Sequence, residues 1–179
     1  MTVRLFAAIP VPQEIGADLV RLQKGVPGAR WRPVENFHIT LRFFGDIEET
    51  LAEDLDAELA TIAMAPFPLR LKGAGWFGGA DPRALWLGVD APDIVTQLNE
   101  KCERAARRAG LPKEARKFHP HMTLAYLRET PVEKANRFVQ RAATLETEAW
   151  QVTHFSLFSS WLTRGSANIY RAEADYPLV

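Results

Sequence analysis

Two short segments of this chain carry the same pattern: His38-Ile39-Thr40-Leu41-Arg42-Phe43 and His121-Met122-Thr123-Leu124-Ala125-Tyr126, each a His-x-Thr-Leu with an aromatic residue two positions after the leucine. An imidazole with an unperturbed pKa of about 6.5 can give or take a proton near neutrality. A threonine hydroxyl can donate to an oxygen that gains negative charge. Two of each in one small space suit the opening of a cyclic phosphodiester by water. One histidine takes the water's proton and the other protonates the departing ribose oxygen on the opposite side of phosphorus, assistance typically worth about 10²- to 10⁴-fold. Arg42 would add a charge-assisted donor to the phosphoryl oxygens. The scheme requires no metal and no cofactor.

Both motifs read as strands. Alternation puts His38, Thr40 and Arg42 on one face and Ile39, Leu41 and Phe43 on the other; in the second copy His121 and Thr123 stand opposite Met122, Leu124 and Tyr126. A single such motif is more often structural than catalytic, and its doubling is what points to chemistry. His119 and His154 have no counterpart in the other copy and read as surface or supporting residues, with His119 on the face of His121. Gly73, Gly75, Gly78 and Gly79 lack the lysine of a phosphate-binding loop and the strand-to-helix context of a dinucleotide site, so they read as a loop. Cys102 stands alone and neither motif has an acidic residue at a zinc-ligand spacing. Trp31, Trp76, Phe118 and Tyr126 are candidate platforms for a nucleobase, against the commoner use of aromatic residues as core.

The elements that would position these residues recur in order. Hydrophobic period and turn residues predict a strand over Val3 to Ile9, a helix opened by Pro12 to about Lys24, a strand over His38 to Phe44, a helix over Glu49 to Met64 and a strand over Pro66 to Phe77. The second half predicts a strand over Ala84 to Val89, a helix over Pro92 to Arg108, a strand over Met122 to Leu127, a helix over Val132 to Ala143 and a strand over Trp150 to Phe158, with a last strand near Ile169 to Ala174. The interval from His38 to Leu69 equals that from His121 to Val152, which supports a duplication with repeats at approximately 3–77 and 84–158 within one domain spanning 1–179. Two similar lobes leave a cleft between them, where sites commonly form.

The 179 residues are 47% hydrophobic with a formal net charge of zero, so no overall field draws the chain to long nucleic acid or to an anionic membrane. The acidic run from Glu48 to Glu58 and the basic run from Lys101 to Lys117 read as solvated helix faces. The end of the basic run, Lys113, Arg116 and Lys117, leads straight into the second motif and is placed to meet phosphates. The lone Cys102 fits a reduced thiol in the cytoplasm, and the first ten residues are too short an apolar run for a signal peptide or a membrane span. Nothing in the pattern demands a partner chain, so a monomer is expected.

These residues resemble the two-histidine (2H) phosphoesterases, and among them the bacterial and archaeal RNA 2′,3′-cyclic phosphodiesterases, also called 2′-5′ RNA ligases. The resemblance runs through Arg4-Leu5-Phe6-Ala7-Ala8-Ile9, Trp31 to Gly45, Ala84-Leu85-Trp86-Leu87-Gly88-Val89 and Phe118-His119-Pro120-His121-Met122-Thr123-Leu124-Ala125. It implies an α+β fold of two pseudo-symmetric lobes, each an antiparallel sheet with flanking helices, around an active cleft. It also implies hydrolysis of an RNA or nucleoside 2′,3′-cyclic phosphate end to a 2′-phosphate. By the same resemblance His38 donates a proton to the leaving 3′-oxygen, His121 accepts one from water, and Thr40 and Thr123 bind the phosphate. Many bacterial relatives carry an arginine where this chain has Tyr126, which makes Arg128 the expected substitute cation. Phe118, Arg42 and Tyr126 complete the expected substrate contacts. The alternatives are cleavage or joining of 2′-5′ linkages, and a non-catalytic module that binds RNA ends.

Overall fold

The computed structural model describes all 179 residues, built from ten strands and four α-helices. In chain order these are β1 (Thr2–Pro10), α1 (Gln13–Leu19), β2 (Ala29–Trp31), β3 (His38–Glu48), α2 (Glu49–Leu59), β4 (Phe67–Leu69), β5 (Leu71–Phe77), β6 (Ala84–Val89), α3 (Pro92–Arg108), β7 (Met122–Leu127), α4 (Val132–Arg141), β8 (Trp150–Val152), β9 (His154–Trp161) and β10 (Ile169–Pro177). Strands β6 and β7 and helix α3 have the bounds their sequence predicts. The two long strands expected at Pro66 and Trp150 are each broken in two, at Arg70 and at Thr153, and the first parts pair with each other as a separate ribbon, β4 with β8. The expected helix from Glu49 stops at Leu59 rather than Met64, short of the prolines at 66 and 68.

The remaining strands form one antiparallel sheet in the order β10-β9-β1-β3-β7-β6-β5, with β2 also on β7. Four strands make one wall and four the other, and the walls meet where β3 and β7 pair through Ile39 and Met122. Strand β5, from the first repeat, pairs with β6 of the second; β9, from the second, pairs with β1 of the first. The repeats therefore trade their third strands, and the pseudo-twofold runs between the two histidine strands.

One face of this sheet is apolar. Leu5, Ala7, Ile9, Ile39, Leu41, Leu85, Leu87, Met122 and Leu124 are buried and join a core completed by Leu55 and Leu59 of α2, Val95, Leu98 and Cys102 of α3, and Phe138 of α4. Phe6 is buried as well but lies on the other face, against His38. The acidic and basic runs are partly consumed here, because α2 and α3 lie side by side and Arg108 Nε meets Glu58 Oε2 at 2.6 Å. No helix is long and apolar enough to cross a membrane.

Candidate active site

Each histidine strand departs from simple alternation, and the departure sets what faces the cleft. Along β1 and β3 the register passes from Ala7 opposite Arg42 to Ala8 opposite Thr40, leaving Leu41 as an extra residue. Along β6 and β7 it passes from Leu85 opposite Ala125 to Trp86 opposite Thr123, leaving Leu124 as the extra residue. The same bulge is thus built into both copies of the motif, directly after the threonine. A bulge inserts one residue and reverses the alternation beyond it. Phe43 and Tyr126, expected on the apolar face, therefore come round to the cleft, where they are 48% and 41% exposed.

The unpaired carbonyl that each bulge leaves is satisfied in a different way. Leu41 O accepts from Asn99 Nδ2 on α3 at 2.6 Å, and Leu124 O accepts from the backbone N–H of Arg32 at 2.9 Å. Arg42 is turned toward α3 by the same shift. It lines the cleft, but it is 7% exposed and its donors are committed: Nε to Glu103 at 2.5 Å, one terminal nitrogen to the Phe43 carbonyl, and the other to the Pro112 carbonyl at 2.6 Å. The expected role of Arg42 as a phosphate donor gives way to one of bracing the strand.

The cleft has a volume of about 500 Å³, within the range of sites that hold a small molecule. It brings together His38, Thr40, His121 and Thr123, with Phe118, Tyr126 and Arg42 also on its wall. Arg128 is not in it. Strand β7 ends at Leu127, the backbone N–H of Arg128 bonds to Gly28 O at 3.1 Å, and Glu129 turns the chain away with a φ of 52°. The cation beside Tyr126 is Arg32 instead, which also lines the cleft. Trp31 packs against Phe138, and the Trp76 indole donates to Gly79 O, so neither serves as a platform in the cleft.

Both imidazoles are held alike. His38 Nδ1 lies 2.7 Å from the carbonyl oxygen of Asn36, and His121 Nδ1 lies 2.5 Å from that of His119, in each case two residues earlier. A carbonyl only accepts, so each Nδ1 carries the proton and each Nε2 is left for the cleft. Their surroundings are aromatic. His38 has Phe6 at 4.9 Å between centroids and Tyr170 edge-on at 5.3 Å; His121 has Phe77 edge-on at 4.8 Å, with Trp86 and His119 beyond. The bulk is complementary across the pseudo-twofold: Phe6 corresponds to Ala84, and Ala8 corresponds to Trp86.

This setting disfavours charge. Burial lowers the pKa of His38 to about 4, against the pull of the Asn36 carbonyl and with a further lowering from His121. Burial also lowers that of His121, against the pull of the His119 carbonyl and with a smaller lowering from the His119 ring. Both rings are therefore mainly neutral near pH 7, and a bound anion would raise both.

Several lining residues carried no strong signal in the sequence. Phe43 needed the bulge, Phe77 and Tyr170 come from strands distant in the chain, and Asn36 belongs to the site through its carbonyl. The matched places of Asn36 and His119, two before each motif histidine, are the one local cue. Nowhere do three or more His, Cys, Asp or Glu side chains converge as a metal site.

The profile of the 2′-5′ RNA ligase superfamily matches residues 11–161. An RNA 2′,3′-cyclic phosphodiesterase of Escherichia coli strain K12 is 31% identical over 171 residues, covering 90% of this chain and 89% of that one. One from Aeropyrum pernix is 33% identical over 133 residues, covering 73% and 76%. Among solved structures, E. coli LigT complexed with 3′-AMP superposes with a TM-score of 0.80 at 28% identity, covering 99% of both chains. A protein of Thermus thermophilus, TT0787, gives 0.80 at 27% identity, over 98% and 97%. With the bulged motif pair in one cleft and these matches over most of its length, the chain belongs to the 2′-5′ RNA ligase superfamily of two-histidine phosphoesterases.

Proposed function

We propose that this protein hydrolyses the 2′,3′-cyclic phosphate at an RNA or nucleoside end to the 2′-phosphate, with His38 and His121 as general acid and base. The observation that carries this is the matched pair of imidazoles, each tied through Nδ1 to a carbonyl and each leaving Nε2 to one cleft. The names of the relatives support the substrate class. His121 takes a proton from water as its oxygen bonds to phosphorus; the bond from phosphorus to O3′ breaks, and His38 delivers a proton to O3′. Thr40 and Thr123 donate to the nonbridging oxygens as charge builds on them. Because burial keeps His38 unprotonated near pH 7, its role as donor depends on the substrate's own negative charge to load it.

Phe118, Phe43 and Phe77 offer faces and edges to the nucleoside. Lys113 and Lys117, exposed on the loop before the second motif, receive the preceding phosphates of an RNA strand. The protein works as a monomer in the cytoplasm, where its buried Cys102 stays reduced.

Phosphorus NMR of a nucleoside 2′,3′-cyclic phosphate, in EDTA, tests the reading on wild type, His38→Ala and His121→Ala. Conversion to the 2′-phosphate by wild type alone is the expected result. No conversion, with a cyclic-ended oligonucleotide also unchanged, overturns it in favour of 2′-5′ linkage chemistry or of simple end binding.

A further inference from the structure

The cationic side chains of the cleft are not equally available to a ligand. Arg42 is engaged by Glu103 and two carbonyls, and Arg116 shares Glu114 at 3.4 Å. Lys113 and Lys117 stand exposed on their loop. Arg32 differs from all of these. It has no carboxylate partner, its Nε is buried without an acceptor, and its one side-chain hydrogen bond is a long one, from a terminal nitrogen to Arg30 O at 3.4 Å. A buried N–H left unbonded is costly, and such groups are rare in folded proteins.

The position of Arg32 is nevertheless well fixed. Its backbone N–H closes the bulge at Leu124, next to Thr123, and its carbonyl accepts from Gln23 Nε2 at 2.8 Å. Its guanidinium carbon lies 4.8 Å from the centroid of the Tyr126 ring, so a cleft aromatic residue serves as its shelf. Its charge reaches Tyr170 on the opposite wall, and Tyr170 stands edge-on to His38. A rigidly mounted guanidinium with free donors, between the walls that carry the two histidines, matches the paired oxygens of a phosphate group.

We infer that Arg32, shelved on Tyr126, is the phosphate-binding cation of this cleft and positions the RNA end by donating to nonbridging phosphate oxygens. The inference rests on the hydrolase reading for its substrate. The phosphate bound is either the reacting cyclic one or the phosphodiester that precedes it.

Arg32→Met keeps the packing on Tyr126 and removes the charge; Arg32→Lys keeps the charge and removes the fork. Both are compared with wild type on a nucleoside 2′,3′-cyclic phosphate and on a cyclic-ended trinucleotide. The affinity for a nucleoside 2′-phosphate is measured by calorimetry. Expected for Arg32→Met is a loss in kcat/KM on the order of 10- to 100-fold, a parallel loss of 2′-phosphate affinity, partial recovery in Arg32→Lys and an unchanged melting temperature. Loss on both substrates assigns the reacting phosphate to Arg32, and loss on the trinucleotide alone assigns the preceding one. Unchanged kinetics on both substrates with unchanged 2′-phosphate affinity overturns the inference. If wild type turns over neither substrate, the hydrolase reading falls by itself. Calorimetry, extended to a trinucleotide ending in a 2′-phosphate, then still decides Arg32: weaker binding of either ligand by Arg32→Met supports its role, and equal binding of both refutes it.

Discussion

Arg42 Nε lies 2.5 Å from Glu103 Oε2, tying the bulge of β3 to α3 at the wall of the cleft. Their side chains are 7% and 21% exposed, and one helical turn earlier Asn99 bonds the carbonyl of the bulge residue Leu41. Helix α3 thus grips the first motif by two neighbouring residues. Removing one partner of a buried ion pair strands the other, so Glu103→Ala should lose about 3 kcal/mol of stability in urea denaturation. Glu103→Gln, which can still accept from Arg42, should lose less. Equal stability of Glu103→Ala and wild type would show that the two carbonyls alone suffice for Arg42.

The neutral histidines make two predictions about pH. The folded-state pKa of His38, about 4, lies below the ordinary value near 6.5, so between these limits the unfolded chain binds more protons than the folded one. Stability is therefore full above about pH 6.5 and falls as the pH drops toward 4, with a slope from this residue of at most about 1.4 kcal/mol per pH unit. In His38→Gln that part of the slope should vanish from denaturation curves taken across the same window.

The rate should respond as well. The profile of kcat/KM reports the free enzyme, in which both histidines are lowered, so its optimum should fall on the acid side of about 6.5. The profile of kcat reports the complex, where bound phosphate raises both groups, and should lie at higher pH. Coincident profiles centred above neutrality would mean that the substrate does not load the histidines.

Gly75 makes room for Trp86. A Cβ at Gly75 would come within 2.3 Å of the Trp86 ring, and that ring backs His119 and His121. Its backbone needs no glycine for its own sake, since no positive φ is found there. Gly75→Ala should therefore act purely by overpacking, at a cost of about 1–3 kcal/mol in thermal or chemical unfolding. Turnover should fall with it, because the displaced indole pushes on His121. Gly75→Ala combined with Trp86→Leu should recover stability relative to Gly75→Ala alone.

The strands and helices with strong periodic patterns were legible from the residues alone: the bounds of β6, α3 and β7 agree with their hydrophobic spacing and turn residues. So was the meeting of His38, Thr40, His121 and Thr123 in one cleft, because a duplicated motif needs no knowledge of pairing. The bulges were not legible, since one inserted residue is defined only against the partner strand. That single slip moved Phe43 and Tyr126 into the cleft and committed Arg42 to α3. Arg32 was hidden for a related reason: it lies outside the repeated motif and enters the site through β2, a strand of three residues that carries little pattern of its own. The exchange of β5 and β9 between repeats is equally a matter of distant pairing.

That exchange has a mechanical meaning. Each wall of the cleft is completed by a strand from the opposite half of the sequence, so the walls are clasped rather than hinged. Neither half contains a finished wall, and peeling one apart strips a strand from the other. The gap between the imidazoles is thereby set by a single cooperative structure. Cutting the loop around Gly79 should leave two interlocked pieces that hold both histidines in register, rather than two independent modules free to drift apart.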